Sequence, residues 1–452
     1  MSSQEENGIV PDLTFKGVCM AGKVGKWDLT CSKNGVIASL EEHKPLGPEQ
    51  ESDMRFLAPS LCHPHIHLDK CFLLSHPKYA DLEVEKGDFA EAMKLTNSAK
   101  QRFEVDDLME RGRALIEESI NFGVTHMRAF VEVDLTVKFK CLEAGLALKD
   151  LFRDRCYIQI CVFAQDPIYS YPDKGRAMMR LLDNAASRPG VEVFGSTPYV
   201  EKDGSNEKQI KNMEFAIKTA KRYKLHLDFH IDYNLDSAKP SIVMEALKLL
   251  HSMNWPSNWN NFEHRTIIFG HCTRLTLFDN SEWLNLCEKV QGLPVSFVGL
   301  PTSDLFMMGR PKEEDGGGQR VRGTLQVLQM IKKYGLNAAM GINNVGNAFT
   351  PQGNCDPLSL ASLCVGVYQA GTNADAELLL VSVIVFLRRS TGLTRVDSNA
   401  SRTAPNWPWG STSRNHPISS LTLVTLQICE YSPSVLAPDS RSFFTLDCIY
   451  IH

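Results

Sequence analysis

Residues 61 to 70 read LCHPHIHLDK, with histidines at positions 63, 65 and 67 and then Asp69 and Lys70. In an extended strand residues i and i+2 share a face, so His65 and His67 can offer two imidazole nitrogens to one divalent ion. Two later segments carry a histidine where an apolar run ends: LHLDFHIDYN supplies His230 and IIFGHCT supplies His271. One HxH pair alone is weak evidence for a metal site. Imidazoles at three strand ends are hard to assign to chance, and four neutral histidines can hold an ion that activates water for hydrolysis. His226, four residues before His230, faces the same side one layer deeper and is read as structural. His63 is read as an outer, hydrogen-bonding residue.

These histidines need a scaffold that brings distant strand ends together. Short β-branched runs alternate with segments of helical period, the pattern of successive βα units. Candidate strands cover residues 56–68, 124–133, 157–163, 191–197, 225–231, 266–272, 294–300 and 337–342. Between them, Ile242, Val243, Ala246, Leu247 and Leu250 form one apolar helical stripe; Val321, Leu325 and Leu328 form another, stopped by Gly335. Eight such strands predict an α/β fold of the (β/α)8 TIM-barrel type, usually ~250 residues plus insertions, with its chemistry at the C-terminal strand ends. A doubly wound sheet would need fewer strands and gives no reason for histidines at several strand ends. Residues 71–102, long for a βα loop, predict a helical lid. The segment NVGNAFTPQGNCDPLS after the eighth strand predicts a shaped wall that touches substrate.

Residues 1–55 read as a small N-terminal β-domain segment with an Asn34-Gly35 hairpin turn, and 56–385 as the barrel. Residues 386–452 form an atypical tail, rich in serine and threonine and without lysine, in which no helical or strand period persists. Its composition fits a disordered extension, and the abrupt change is also what an altered 3′ end of the coding sequence would produce. If the tail has replaced elements that completed the fold, uncovered apolar surface would favour a homo-oligomer.

The net charge of −5, with both signs interspersed, provides no basic face for nucleic acid and no polybasic patch for a membrane. The N-terminal MSSQEENGIVPDL lacks a signal-peptide pattern, and the run LLLVSVIVFL from Leu378 is too short to span a bilayer. A cytoplasmic protein is expected, with a small molecule as its partner. The thirteen cysteines form no CxxC pair and read as small buried hydrophobes.

Taken in order, PHIHLDK, VTHMRAFVEVD, ICVFAQDPI, LDFHIDYN, FGHCT and GINNVGN resemble the strand motifs of the amidohydrolase superfamily, and more closely its cytosine deaminase-like branch. The resemblance spans residues ~55–375, and the β-domain before the first strand fits it. It implies one divalent metal ion, zinc or iron, held by His65, His67 and His230, with His271 either a fourth ligand or a hydrogen-bond partner of the attacking water. The hydroxide generated on the metal would attack a ring carbon bearing nitrogen. Gln165 matches a position that recognises the polar edge of a pyrimidine.

Two positions depart from that pattern. Asn343 stands where the eighth strand normally ends in an aspartate that accepts the water's proton, and Tyr233 where the branch has a proton-shuttling glutamate. Groups of this kind are each commonly worth ~10²–10⁴-fold in rate. Asp69, Asp232 and Asp304 are the nearby acids that could substitute, with a helix N-cap, a loop hydrogen bond or a salt bridge the plainer reading of each. The candidate catalytic set is therefore His271, Asp232, Tyr233 and Asn343, and the candidate substrate contacts are Gln165, Lys70 and Asp304. Lys70 would neutralise an anionic substrate group or pair with Asp69. The expected activity is metal-dependent hydrolysis of a non-peptide carbon–nitrogen bond in a small nitrogen heterocycle, cyclic amidine or cyclic amide. The competing expectation is a catalytically impaired relative that binds small molecules or partners.

Overall fold

Alternating side chains in the N-terminal segment make three antiparallel strands, β1 (Leu13–Met20), β2 (Lys26–Cys31) and β3 (Ile37–Glu42). β4 (Arg55–Pro59) pairs parallel to β1. One face gathers Val18, Met20, Leu29, Cys31 and Leu57 into a core of its own, as period-two patterning requires. The computed structural model describes residues 13–20, 23–31, 37–45, 55–201, 206–255, 265–311 and 316–384, with two strands beyond them. The Asn34-Gly35 turn lies outside the described residues.

The barrel is a second unit, built from eight parallel strands. They are β5 (Leu61–His67), β6 (Val124–Glu132), β7 (Tyr157–Ala164) and β8 (Val191–Ser196). β9 (His226–Ile231), β10 (Ile267–His271), β11 (Val295–Gly299) and β12 (Ala338–Met340) follow. The strand predicted over 56–68 is thus two strands in different sheets. Only Ser60 separates the two, too short a break to mark the division in sequence. Two backbone bonds close the circle just beyond β12: Asn343 N–H donates to the His65 carbonyl at 3.0 Å, and His67 N–H to the Asn343 carbonyl at 2.8 Å.

The lid segment after β5 contains α1 (Phe89–Lys100), begun by Asp88, whose side chain accepts from the Glu91 N–H. α2 (Val105–Asn121), α3 (Lys140–Leu151), α4 (Arg176–Ala186) and α5 (Asn206–Tyr223) follow in βα order. α6 (Ile242–Ser252) buries the predicted stripe. α7 (Asn280–Val290) and α8 (Pro301–Met307) precede α9 (Val327–Tyr334). α9 starts later than its pattern predicts: Val321 is 85% exposed ahead of it, and only Leu325 and Leu328 of that stripe are buried. Gly323 inside the stripe disfavours the extra turn, whereas Gly335, at φ 62°, ends the helix as expected. α10 (Pro357–Val367) and α11 (Asn373–Ser382) complete the unit.

Within the tail, β13 (Leu421–Gln427) pairs antiparallel with β4 and with β14 (Asp447–Tyr450). The sequence reading expected no strand there. LTLVTLQ is nevertheless a short β-branched run, and seven residues suffice for a ladder. Described cysteines are free thiols, all buried except Cys19 and Cys287. Among the described residues no helix is long and apolar enough to cross a membrane.

The barrel interior below the mouth carries charge. Arg128 of β6 donates to Asp228 of β9 at 2.7 Å and to Gln159 of β7 at 2.8 Å, with both charged side chains fully buried. Burial pushes the Asp228 carboxyl up to about 6, against the pull of Arg128. Replacing Arg128 by methionine leaves that carboxylate in the core without its cation and is expected to destabilise the fold by ~3–5 kcal/mol. Urea midpoints measure the loss, and adding Asp228→Asn should recover much of it.

Candidate active site

At the C-terminal ends of β5 and β9, His65 Nε2 lies 2.9 Å from His230 Nε2, and His67 Nε2 lies 3.1 Å from the same atom. One Nε2 carries one proton or one lone pair, so His230 cannot satisfy both neighbours by hydrogen bonding. Three nitrogens this close fit the shell of one cation; tetrahedral zinc with Zn–N of ~2.0–2.1 Å sets its ligands only slightly farther apart. All three rings are buried. Burial, with the positive charge of Lys70 and of the other imidazoles, holds each well below the ordinary histidine value. They are neutral near pH 7, the state that binds metal. Among the described residues these three form the group whose ligand atoms are close enough for an ion.

Asn343 stands over this group with a left-handed backbone, φ 69°. Its Nδ2 donates to Ser303 Oγ at 2.8 Å, and Ser303 and Thr350 share a hydrogen bond of 2.6 Å. That anchorage directs Oδ1, buried and without a well-aligned hydrogen bond, beside His65. An amide oxygen there can accept a hydrogen bond but cannot take a proton.

His271 ends β10, its ring 5.3 Å from that of His230 and 6.0 Å from that of His65. It sits beside the three-histidine group and is held from behind: its Nδ1 is 2.9 Å from Asp304 Oδ1. Asp304 Oδ2 accepts from Thr324 Oγ1 at 2.7 Å. Expected as a substrate contact, Asp304 is instead fully buried behind His271, with both oxygens engaged by protein. Burial raises its carboxyl above the ordinary aspartate value, although the His271 bond opposes this.

Asp232 is turned away from the histidines. Its carboxylate accepts from the Ile242 N–H at 2.8 Å, from the Val243 N–H at 3.3 Å and from the Ser241 hydroxyl, capping α6. Asp232, His271 and Cys272 all have φ of 49–65°, so the chain turns sharply where β9 and β10 meet the mouth. Such unfavourable backbone is concentrated at functional sites.

Lys70 and Gln165 form a polar wall. Lys70 Nζ donates to Glu132 Oε1 at 2.6 Å and to Gln165 Oε1 at 3.2 Å. The partner of Lys70 is thus Glu132 and not Asp69, which accepts from the Glu132 backbone N–H at 2.5 Å. Burial would raise the Glu132 carboxyl, yet Lys100 and Lys70 hold it at about 2. Opposite, Phe89, Tyr199, Tyr233 and Phe349 make an aromatic wall, with Phe89 centred about 6 Å from each of the others and Tyr233 4.1 Å from His271. Burial pushes the Tyr233 phenol well above its usual value, so it stays protonated. The walls enclose ≈ 20 Å³, room for about one water.

His63 bonds Ser119 at 3.1 Å and His226 bonds Thr266 at 2.8 Å, both away from this cavity. Sequence reasoning missed Phe89, Tyr199 and Phe349 of the cavity lining, and behind Lys70 it missed Glu132 and the Lys100 that Glu132 and Asp134 hold. Glu132 and Asp134 had a usable signal, because VEVD ends its strand with two acids at the spacing that marked the histidines.

No protein-family model matches the chain. N-isopropylammelide isopropyl amidohydrolase of Pseudomonas sp. (strain ADP) is 24% identical over 351 residues, covering 73% of each chain. The structure of 5-methylcytosine deaminase from Klebsiella pneumoniae with 5-fluorocytosine superposes at TM-score 0.70 and 20% identity, over 84% of this chain and 87% of that one. A zinc-bound adenosine deaminase from Xanthomonas campestris gives 0.54 and 16%, over 93% and 88%. The closed parallel barrel, with paired histidines on its first strand and single ones on its fifth and sixth, shares the fold of these deaminase structures, and the sequence is similar to that of the amidohydrolase.

Proposed function

We propose that the protein is a metal-dependent hydrolase that breaks a carbon–nitrogen bond in a small cyclic amidine or amide, in the manner of the cytosine deaminases. The observation that carries this reading is the convergence of three neutral Nε2 atoms beside a histidine held by a buried carboxylate. His65, His67 and His230 would hold one zinc or iron ion, which when bound supplies a water that ionises near neutral pH and a Lewis acid. Asn343 Oδ1, buried and without a well-aligned hydrogen-bond donor, would accept a hydrogen bond from a water held there and orient it. His271 takes the water's proton at Nε2, because Asp304 keeps the Nδ1 proton in place and stabilises the imidazolium. The same Nε2 returns the proton to the departing nitrogen as the C–N bond breaks. Lys70 and the Gln165 amide offer N–H donors, which suit a ring whose edge carries carbonyl oxygen. The aromatic wall covers the ring's face and excludes bulk water.

Asn343 and Tyr233 favour a second reading, an impaired relative that binds without turnover. Metal analysis of the purified protein, with turnover assays on pyrimidines, triazines and cyclic ureides, separates the two. A protein that stays inert after loading with zinc or iron sinks the hydrolase. The paired change Asn343→Asp with Tyr233→Glu gives a further test. We expect it to lower turnover of the best substrate at least ~10-fold, since a glutamate at 233 disrupts the packing on His271 and adds a charge near Asp304. A gain of ~10²-fold would instead mark the natural residues as losses.

A further inference from the structure

Lys100 is the last residue of α1, and its side chain is 1% exposed. Its Nζ lies 2.8 Å from Glu132 Oε2, 2.6 Å from Asp134 Oδ2 and 3.2 Å from Asp166 Oδ2, at the ends of β6 and β7. Glu132 is shared, since its other oxygen holds Lys70 at 2.6 Å. The first residue of the same helix, Phe89, lines the cavity. The approach to that end of α1 is fastened to the helix itself, because the Glu91 carboxylate accepts from the backbone N–H groups of Glu85, Lys86 and Gly87. One end of α1 is therefore bound ionically to the barrel. The other carries its own loop and rests on apolar and aromatic contacts with Met307 and Phe349. A cavity with room for about one water must widen to admit a six-membered ring, and Phe89 is the part of its lining carried on the apolar-seated end of α1.

We infer that Lys100 is a positioning residue: it pins the hinge end of a lid, α1, and through the shared Glu132 carboxylate it keeps the Lys70 ammonium facing the cavity. Without Lys100, Glu132 is free to rotate toward Lys70 and draw the ammonium off the polar wall, while α1 loses its fixed end. The lid part of the inference stands on geometry alone. The role toward Lys70 rests on the hydrolase reading.

The test uses the full metal-loaded chain carrying Lys100→Met, Lys100→Arg, Glu132→Gln or the pair Lys100→Met with Glu132→Gln. Amide exchange over residues 89–100 should quicken at least ~10-fold in Lys100→Met, with β5 to β12 and the metal content unchanged. On the best substrate KM should rise ~10-fold with kcat within ~3-fold, Lys100→Arg should recover much of both effects, and the pair should exceed Glu132→Gln alone by less than the full Lys100→Met effect. Should Lys100→Met fail to fold, Lys100→Arg carries the comparison, because a planar guanidinium cannot reproduce all three contacts and should shift exchange and KM the same way by less. Unchanged exchange over 89–100 in the variants overturns the inference. So does a KM change that adds independently to that of Glu132→Gln. If no substrate is turned over, the hydrolase reading fails, and the exchange measurement still decides whether Lys100 pins the lid.

Discussion

Replacing His230 by alanine is expected to leave a folded barrel that no longer retains its ion and turns over substrate at least ~10³-fold more slowly. His230 is the hub of the ligand group, since its Nε2 lies within 3.1 Å of the Nε2 of both His65 and His67. Without it the two β5 imidazoles remain, too few to close a shell. Loss of the ion removes Lewis-acid stabilisation of several kcal/mol, and each ~1.4 kcal/mol is a factor of ten. The ring also packs against Phe163 and Phe130, at 4.3 and 5.0 Å between centroids, so alanine leaves a cavity that costs on the order of 1–3 kcal/mol. Metal per chain by plasma mass spectrometry, the circular dichroism spectrum and turnover distinguish the two losses. A variant that keeps a full equivalent of metal and its activity refutes the ligand assignment.

The clustered histidines were legible in the sequence because their placement follows a local rule: two residues apart on one strand, or at the last position before a turn. The barrel was legible for a related reason, as eight apolar runs separated by helical stripes leave few arrangements that bury both. Pairings set by closure of the barrel were not legible. His271 and Asp304 are 33 positions apart, and nothing in LPTSDLF distinguishes a carboxylate aimed at a neighbouring histidine from one aimed at solvent. Lys100 looks like any lysine ending an amphipathic helix until α1 is laid across the ends of β6 and β7. Asp232 is the converse case. Adjacent to Tyr233 in sequence, it admits a role in the chemistry or a helix cap, and a left-handed backbone turns its carboxylate to the start of α6, ten residues on. The Val321 stripe failed because three apolar residues at helical spacing do not outweigh Gly323 set among them.

Asp304→Asn tests the means of proton transfer directly. With an amide at position 304 the Nδ1 proton of His271 loses its charged acceptor, the other tautomer becomes accessible, and an imidazolium is no longer stabilised from behind. The expected result is a fall in kcat of ~10²–10⁴-fold with metal content unchanged. Stability should move the other way. Burial raises the Asp304 carboxyl above its unfolded value despite the His271 bond, so ionisation costs the native state more than the unfolded one. The wild type therefore loses stability relative to the variant as pH rises from the unfolded carboxylate value of ~3.9 through the raised folded value, and the deficit is complete above it. At pH 7 the asparagine variant should melt at the same temperature as the wild type or higher, while being far slower. A structural role for Asp304 predicts the reverse, a lower melting temperature with kcat preserved in the fraction that folds. A variant with kcat within threefold of wild type would show that the water's proton leaves by another route.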